Sequence, residues 1–134
     1  MNPPVVLDSF ALLALLNDEP GAQVVQAALR HARDEGSTAL VSAINWGEVL
    51  YIAERAGGAE KRKTARRFID LLPVRLVLPD LDAVETAALI KASHPLSYAD
   101  AFAAGLAQQN GGVLLTGYPE FKSVEKLVRI RWLS

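Results

Sequence analysis

The hydrophobic positions of this chain follow two alternating rhythms. Short apolar runs stand at Val5-Val6-Leu7, Ala39-Leu40-Val41, Val74–Leu78 and Val113–Thr116. Runs this short, bounded by breakers, predict buried strands. Between them, apolar residues recur at helical spacing. Val24, Val25, Ala28, Leu29 and Ala32 mark a helix over about 22–35 that Gly36 stops. Asp8 is placed to cap a helix over Ser9–Leu16, which Asp18, Pro20 and Gly21 end. Ser42 caps a helix running to about Arg55, with Ile44, Val49 and Ile52 expected inward. Gly57-Gly58 breaks it, and a further helix spans about 59–72 before Pro73. Asp80 or Asp82 caps a helix to about Ser93, and Ser97 caps one that ends near Asn110. Val128–Leu133 predicts a fifth strand at the sheet edge.

Strands alternating with helices in this way imply an α/β fold with a parallel sheet. The 134 residues fit one domain, 1–134. No repeat, low-complexity tract or linker interrupts them. A domain of this size buries enough surface to fold without disulfides or a structural metal.

Composition narrows the chemistry. With no cysteine there is no thiol nucleophile and no zinc–thiolate site, as suits a cytoplasmic protein. No apolar run approaches the ~18 residues of a membrane span, and Met-Asn-Pro-Pro lacks the basic start of a signal peptide. A net charge of −1 exerts no global pull on nucleic acid, so polyanion binding would need a local patch. Hydrophobic residues make up 51% of the chain. Counting glycine, that exceeds the ~45–50% of an average domain. The surplus fits either a partner interface or an alanine-rich composition.

Three acids fall at comparable places. Asp8 follows the first strand, Glu48 lies in the second turn after the second strand, and Asp100 lies in the first turn of the helix leading to the fourth. Open parallel sheets bind ligands outside the carboxyl ends of their strands, so one rim can collect all three. Clustered carboxylates stay ionised together only around a cation, and hard oxygen donors select Mg²⁺ or Mn²⁺. His31 and His94 sit in a polar helix segment and before a proline, where neither reads as a general base. Each acid also has a purely structural reading: Asp8 as a helix cap, Glu48 as a solvated helix residue, Asp100 as the end of a capping box begun by Ser97. Spacing alone leaves both readings open.

The segments around these acids resemble the PIN-domain nucleases, and within them the VapC-type toxins of bacterial toxin–antitoxin pairs. The resemblance rests on Val5-Val6-Leu7-Asp8-Ser9, Ser42-Ala43-Ile44-Asn45-Trp46-Gly47-Glu48-Val49, Leu96-Ser97-Tyr98-Ala99-Asp100-Ala101-Phe102-Ala103-Ala104 and Leu114-Leu115-Thr116-Gly117-Tyr118-Pro119-Glu120-Phe121. Any one of these is weak; four in order, across nearly the whole chain, are specific. The resemblance implies a three-layer α/β/α fold with a four- to five-stranded parallel sheet. It also implies metal-dependent endoribonuclease activity, a homodimer and a cognate antitoxin. It makes Asp8, Glu48 and Asp100 the catalytic metal ligands and Thr116 a supporting hydroxyl. Asn45, one turn before Glu48, is a further supporting candidate.

One position departs from the family pattern. Where an aspartate is expected after Thr-Gly, this chain has Tyr118. A phenol of pKa ~10 is no anionic ligand at neutral pH. The substitution bears on a second metal, and Glu120 is the nearby acid able to share the role. It also keeps a second reading in play, a PIN-fold domain that binds RNA or antitoxin without cutting. The densest basic cluster, Lys61, Lys63, Arg66 and Arg67, with Arg62 among them, is either an RNA contact or a solvated helix surface. Trp46 and Tyr51 are expected in a core or interface more than on RNA bases.

Overall fold

The computed structural model describes residues 2–133. Five strands, β1 (Val5–Leu7), β2 (Ala39–Ser42), β3 (Val74–Val77), β4 (Val113–Thr116) and β5 (Arg129–Trp132), form one sheet. Their order is β3-β2-β1-β4-β5 and every pairing is parallel. The helices are α1 (Ser9–Leu16), α2 (Ala22–Asp34), α3 (Ala43–Ile69), α4 (Leu81–Ser93) and α5 (Tyr98–Gln109). A 3₁₀ segment, Pro119–Val124, joins β4 to β5.

Strand alternation sorts the core into two layers. Val6, Leu40 and Leu114 stand in register and face α4, α5 and the 3₁₀ segment, where Leu96, Phe102, Phe121 and Val124 are buried. Leu7, Val41 and Leu115 face the other way, against α1, α2 and the far end of α3, with Leu12, Val25, Leu29 and Ile69. β1, β2 and β4 are covered on both sides, which is why they read as unbroken apolar runs.

The helix boundaries follow from local chemistry. Asp8 caps α1, its Oδ1 accepting from the Ala11 N–H at 2.9 Å. Asp80 rather than Asp82 caps α4, and Ser97 caps α5. The two helices expected on either side of Gly57-Gly58 are the limbs of α3. Gly58 has φ +69 and Gly57 is non-helical, so the chain kinks there between two helical limbs.

Ile44 is a correction. It was expected inward but is exposed, and the buried stripe of this limb is Asn45, Val49 and Ala53. The limb is rotated so that a polar residue, Asn45, turns to the interior, a choice that hydrophobic pattern cannot reveal.

Candidate active site

Sheet order reverses at β1: the next strand in sequence, β2, lies on one side of it and β4 on the other. Such a reversal leaves a crevice at the carboxyl ends of the two diverging strands. Asp8 follows β1 and Thr116 ends β4. By alternation both side chains lie on the α5 side of the sheet, in line with Val6 and Leu114. Both are buried, and the Thr116 hydroxyl donates to Asp8 Oδ2 at 2.5 Å. The Tyr118 N–H in turn donates to Thr116 Oγ1 at 3.1 Å. Thr116 thus ties the strand end to the acid and holds the carboxylate in one orientation.

The second and third acids arrive on α3 and α5. Asn45 is buried between these helices; its Nδ2 donates to Glu48 Oε1 at 3.3 Å and to the Ala99 carbonyl at 3.1 Å. That pair of bonds fixes Glu48 beside the first turn of α5, where the Asp100 N–H donates to Ser97 Oγ at 3.1 Å. Asp100 is buried and Glu48 half-buried. The capping readings of Asp8 and Ser97 are therefore correct, and they coexist with the clustering of the acids.

The three acids lie within reach of one another's charge. Burial pushes the Asp8 carboxyl up to about 7 against the pull of the Thr116 and Ala11 hydrogen bonds, and the charges of Asp100 and Glu48 push the same way. Asp100 is raised first by burial and then by Glu48 and Glu120, with Ser97 opposing. Glu120 is exposed, and its charge reaches Asp100. Tyr118 is half-buried; burial raises its phenol, the Ser9 hydroxyl acts against this, and the charges of Asp8, Glu48 and Asp100 add to it.

Two residues near Tyr118 were not singled out as site residues from the sequence. Ser9 is buried, and its Oγ makes no hydrogen bond of ordinary geometry. Phe10 packs edge-on against Tyr118, ring centroids 5.0 Å apart. Gly117 permits that approach, since a Cβ there would lie 2.3 Å from the Phe10 ring. Both neighbour Asp8 in sequence, but only the fold brings them to Tyr118, which is more than a loop residue: it packs on the α5-side core as well.

The donor set suits a hard cation. It offers carboxylate oxygens whose charges are costly together, and an Asn45 Oδ1 that is buried without a partner. Among the described residues, however, no three histidine, cysteine, aspartate or glutamate side chains close tightly enough round one point to ligate an ion directly. An ion here would be held by one or two carboxylates with the rest reached through water, the mode Mg²⁺ favours.

The raised acids carry a stability signature. Between about 3.8 and about 7 the folded chain keeps a proton on Asp8 that the unfolded chain has lost. Stability should therefore fall as pH rises through that window, by about 4 kcal/mol in all, and level off above it. Asp100 adds to the same trend. Melting in chelator should occur several degrees lower at pH 8 than at pH 5, with Mg²⁺ restoring stability at pH 8 and doing little at pH 5. A melting temperature that stays flat from pH 5 to 8 would show that Asp8 is not the buried, uncompensated acid described.

The remaining candidates lie elsewhere. Lys63, Arg66 and Arg67 are exposed on the second limb of α3. Arg66 is bound to Asp70 at 2.6 Å and Arg62 to Glu54 at 3.0 Å, so part of that cluster is already neutralised. Trp46 packs on the α1-side core, while Tyr51 is exposed beneath the Arg55 guanidinium. No described helix is long and apolar enough to cross a membrane.

Comparison with known proteins agrees with this fold. The PIN domain family model matches residues 5–127. The VapBC complex of Salmonella typhimurium, solved bound to DNA, contains a chain that superposes with a TM-score of 0.78 at 20% identity over 100% of both chains. VapBC2 of Rickettsia felis, bound to a DNA fragment from its promoter, gives 0.77 at 13% identity over 97% of this chain and 98% of that one. VapC20 of Mycobacterium tuberculosis, a toxin that cleaves the sarcin–ricin loop, gives 0.73 at 18% identity over 95% and 98%. No curated protein sequence matches the chain. At these identities the structures establish a shared fold, and the family model, spanning most of the sequence, establishes that the chain belongs to the PIN domain family.

Proposed function

We propose that this chain is a Mg²⁺-dependent endoribonuclease acting as the toxin of a toxin–antitoxin pair in the cytoplasm. The observation that carries the reading is the cluster of Asp8, Glu48 and Asp100, with Thr116 fixing Asp8, at the point where the sheet order reverses. Asp8 and Asp100, with Glu48 reached directly or through water, would hold Mg²⁺ or Mn²⁺. The ion would supply charge to a phosphoryl transition state and acidify a water. The protein's own part is orientation. Thr116 and the Ala11 N–H fix both oxygens of Asp8, Asn45 fixes Glu48, and Ser97 fixes the turn carrying Asp100. Glu120 is the acid nearest in role to the one Tyr118 displaces.

The partners follow from the same fold. The Salmonella and Rickettsia relatives are solved as VapBC complexes, so an antitoxin is the expected partner here. Leu78, Leu81 and Leu89 are 82%, 79% and 73% exposed. Apolar surface this open on and beside α4 supports a homodimer burying at least ~1,000 Å². Light scattering at micromolar concentration should give the dimer mass; a monomer would remove that element. Expression of the chain alone should arrest growth with fragmented RNA, relieved by co-expression of a cognate antitoxin. Growth unaffected by a stable, soluble product would speak for the alternative, a PIN domain that binds RNA or antitoxin without cleavage, which Tyr118 favours.

RNA contact through Lys61, Lys63, Arg66 and Arg67 is the outer part of this proposal. Each phosphate contact removed should flatten the dependence of log K on log salt by about 0.7 for a single strand, so the quadruple alanine variant should lose roughly 2 to 3 from the slope. Arg66, engaged with Asp70, makes the lower figure the expected one. An unchanged slope would return the cluster to plain solvated surface.

A further inference from the structure

Against Tyr118 lies a hollow of about 370 Å³ lined by Phe10, Leu13, Ala14, Glu19, Pro20 and Tyr118. Hollows of similar size lie at the α5–β5 edge and beneath residues 2–5, but neither Phe10 nor Tyr118 lines them. This one shares a residue with the site: the Tyr118 ring meets Phe10 edge-on at the hollow, while the Tyr118 N–H donates to Thr116 Oγ1, whose hydroxyl holds Asp8. A group seated here would therefore be adjacent to whatever the acids hold.

We propose that this hollow seats the nucleobase next to the scissile phosphate, and that Glu19 makes it prefer bases with an exocyclic amino group over uracil; the inference rests on the nuclease reading and refines it. The walls are apolar and aromatic, and the volume is at the small end of ligand pockets, suited to one flat ring system. Tyr118 and Phe10 supply the aromatic surface on which bases stack. The rim is acidic. Glu19 is exposed there, and Asp18 precedes it with φ +51, a backbone conformation uncommon outside glycine. The turn is pinned by the Glu19 N–H, which donates to the Ala14 carbonyl at 2.8 Å. A negative rim repels phosphate and favours a neutral group carrying N–H donors. The amino groups of cytosine and adenine supply such donors where uracil presents a carbonyl oxygen; guanine offers its N2 amino group on another edge, and uracil only its single N3–H. Tyr118, where the family pattern has an aspartate, is then a wall of the base seat as well as a lost carboxylate.

The test compares fluorescein-labelled hexacytidylate and hexauridylate by anisotropy, in Ca²⁺ to keep the acids occupied. The two probes carry equal charge, so the phosphate contribution cancels. The parent should bind the cytidine probe on the order of 10-fold more tightly, and Glu19→Gln, whose amide can turn either way, should bring the two within about twofold. Glu19 is exposed, so folding should not suffer. Equal binding of both probes by the parent, or a preference that survives Glu19→Gln, would overturn the base seat and leave the hollow to a partner protein's side chain. Cleavage is scored separately on mixed-sequence RNA. A Glu19-dependent preference without cleavage would sink the nuclease reading and uphold the seat; cleavage without any preference would do the reverse.

Discussion

The Asp8→Asn variant should lose RNA cleavage by about 10³-fold or more while melting higher than the parent above pH 7. The two effects have one cause. Asn is nearly isosteric and a good helix cap, so its Oδ1 can still accept from the Ala11 N–H and the side chain can still meet Thr116. What disappears is the charge, which in the parent is buried and pushed up to about 7 by that burial. Removing it relieves much of the cost of ionisation, on the order of 2 kcal/mol or more at pH 8 in chelator. It also removes the acid at the centre of the site, and electrostatic contacts made in a transition state are worth about 10²- to 10³-fold each. The Mg²⁺-induced rise in melting temperature should vanish with it. Circular dichroism melts and a gel assay on the same preparation read both quantities. A variant that is less stable and still cuts would reduce Asp8 to a helix cap.

The second large effect is expected at Tyr118. Tyr118→Asp restores a fourth carboxylate beside Asp8, Asp100 and Glu48, whose charges already reach this position. Carboxylate count sets much of the affinity for hard cations, so Mg²⁺ should bind more tightly and cleavage should rise by about 10²-fold. The structure adds a cost. Tyr118 packs edge-on against Phe10 and on the α5-side core, and losing an aromatic pair removes roughly 1 kcal/mol beyond its burial. The variant should therefore be more active, more toxic without antitoxin, and less stable in chelator. If the Asp form cuts no better while Asp8→Asn abolishes cleavage by the Tyr form, then Tyr118 belongs to a working site and Glu120, whose charge acts on Asp100, becomes the candidate fourth acid.

The fold was legible because its central strands are buried on both faces and stand as apolar runs between capped helices. Val5-Val6-Leu7 and Val113–Thr116 are readable as neighbours in type but not in space; their pairing, which makes the crevice, is a property of the whole sheet. The acids were singled out through family resemblance, since spacing cannot separate a helix-capping role from a chemical one. Asp8 caps α1 and Ser97 caps the turn of Asp100, so the structural and chemical readings were never exclusive. Residues whose role is purely spatial were not legible. Asn45 turns inward to join α3 to α5, displacing Ile44 to the surface, because its amide can serve Glu48 and the Ala99 carbonyl together. Phe10 and Glu19 reach Tyr118 only through the packing of α1 and the turn after it. The Arg62–Glu54 pair spans the Gly57-Gly58 kink, so its weakening of the basic cluster could not be read from helical spacing.

Cleavage of a mixed-sequence single-stranded RNA across a Mg²⁺ titration, by the parent, Asp8→Asn and Tyr118→Asp, tests the metal-assisted nuclease site most directly. Activity that rises with Mg²⁺, is abolished by chelator and by Asp8→Asn, and is enhanced in Tyr118→Asp is the predicted result. Cleavage that persists in chelator and in Asp8→Asn, or no cleavage by either the parent or Tyr118→Asp at any Mg²⁺ concentration, would contradict it.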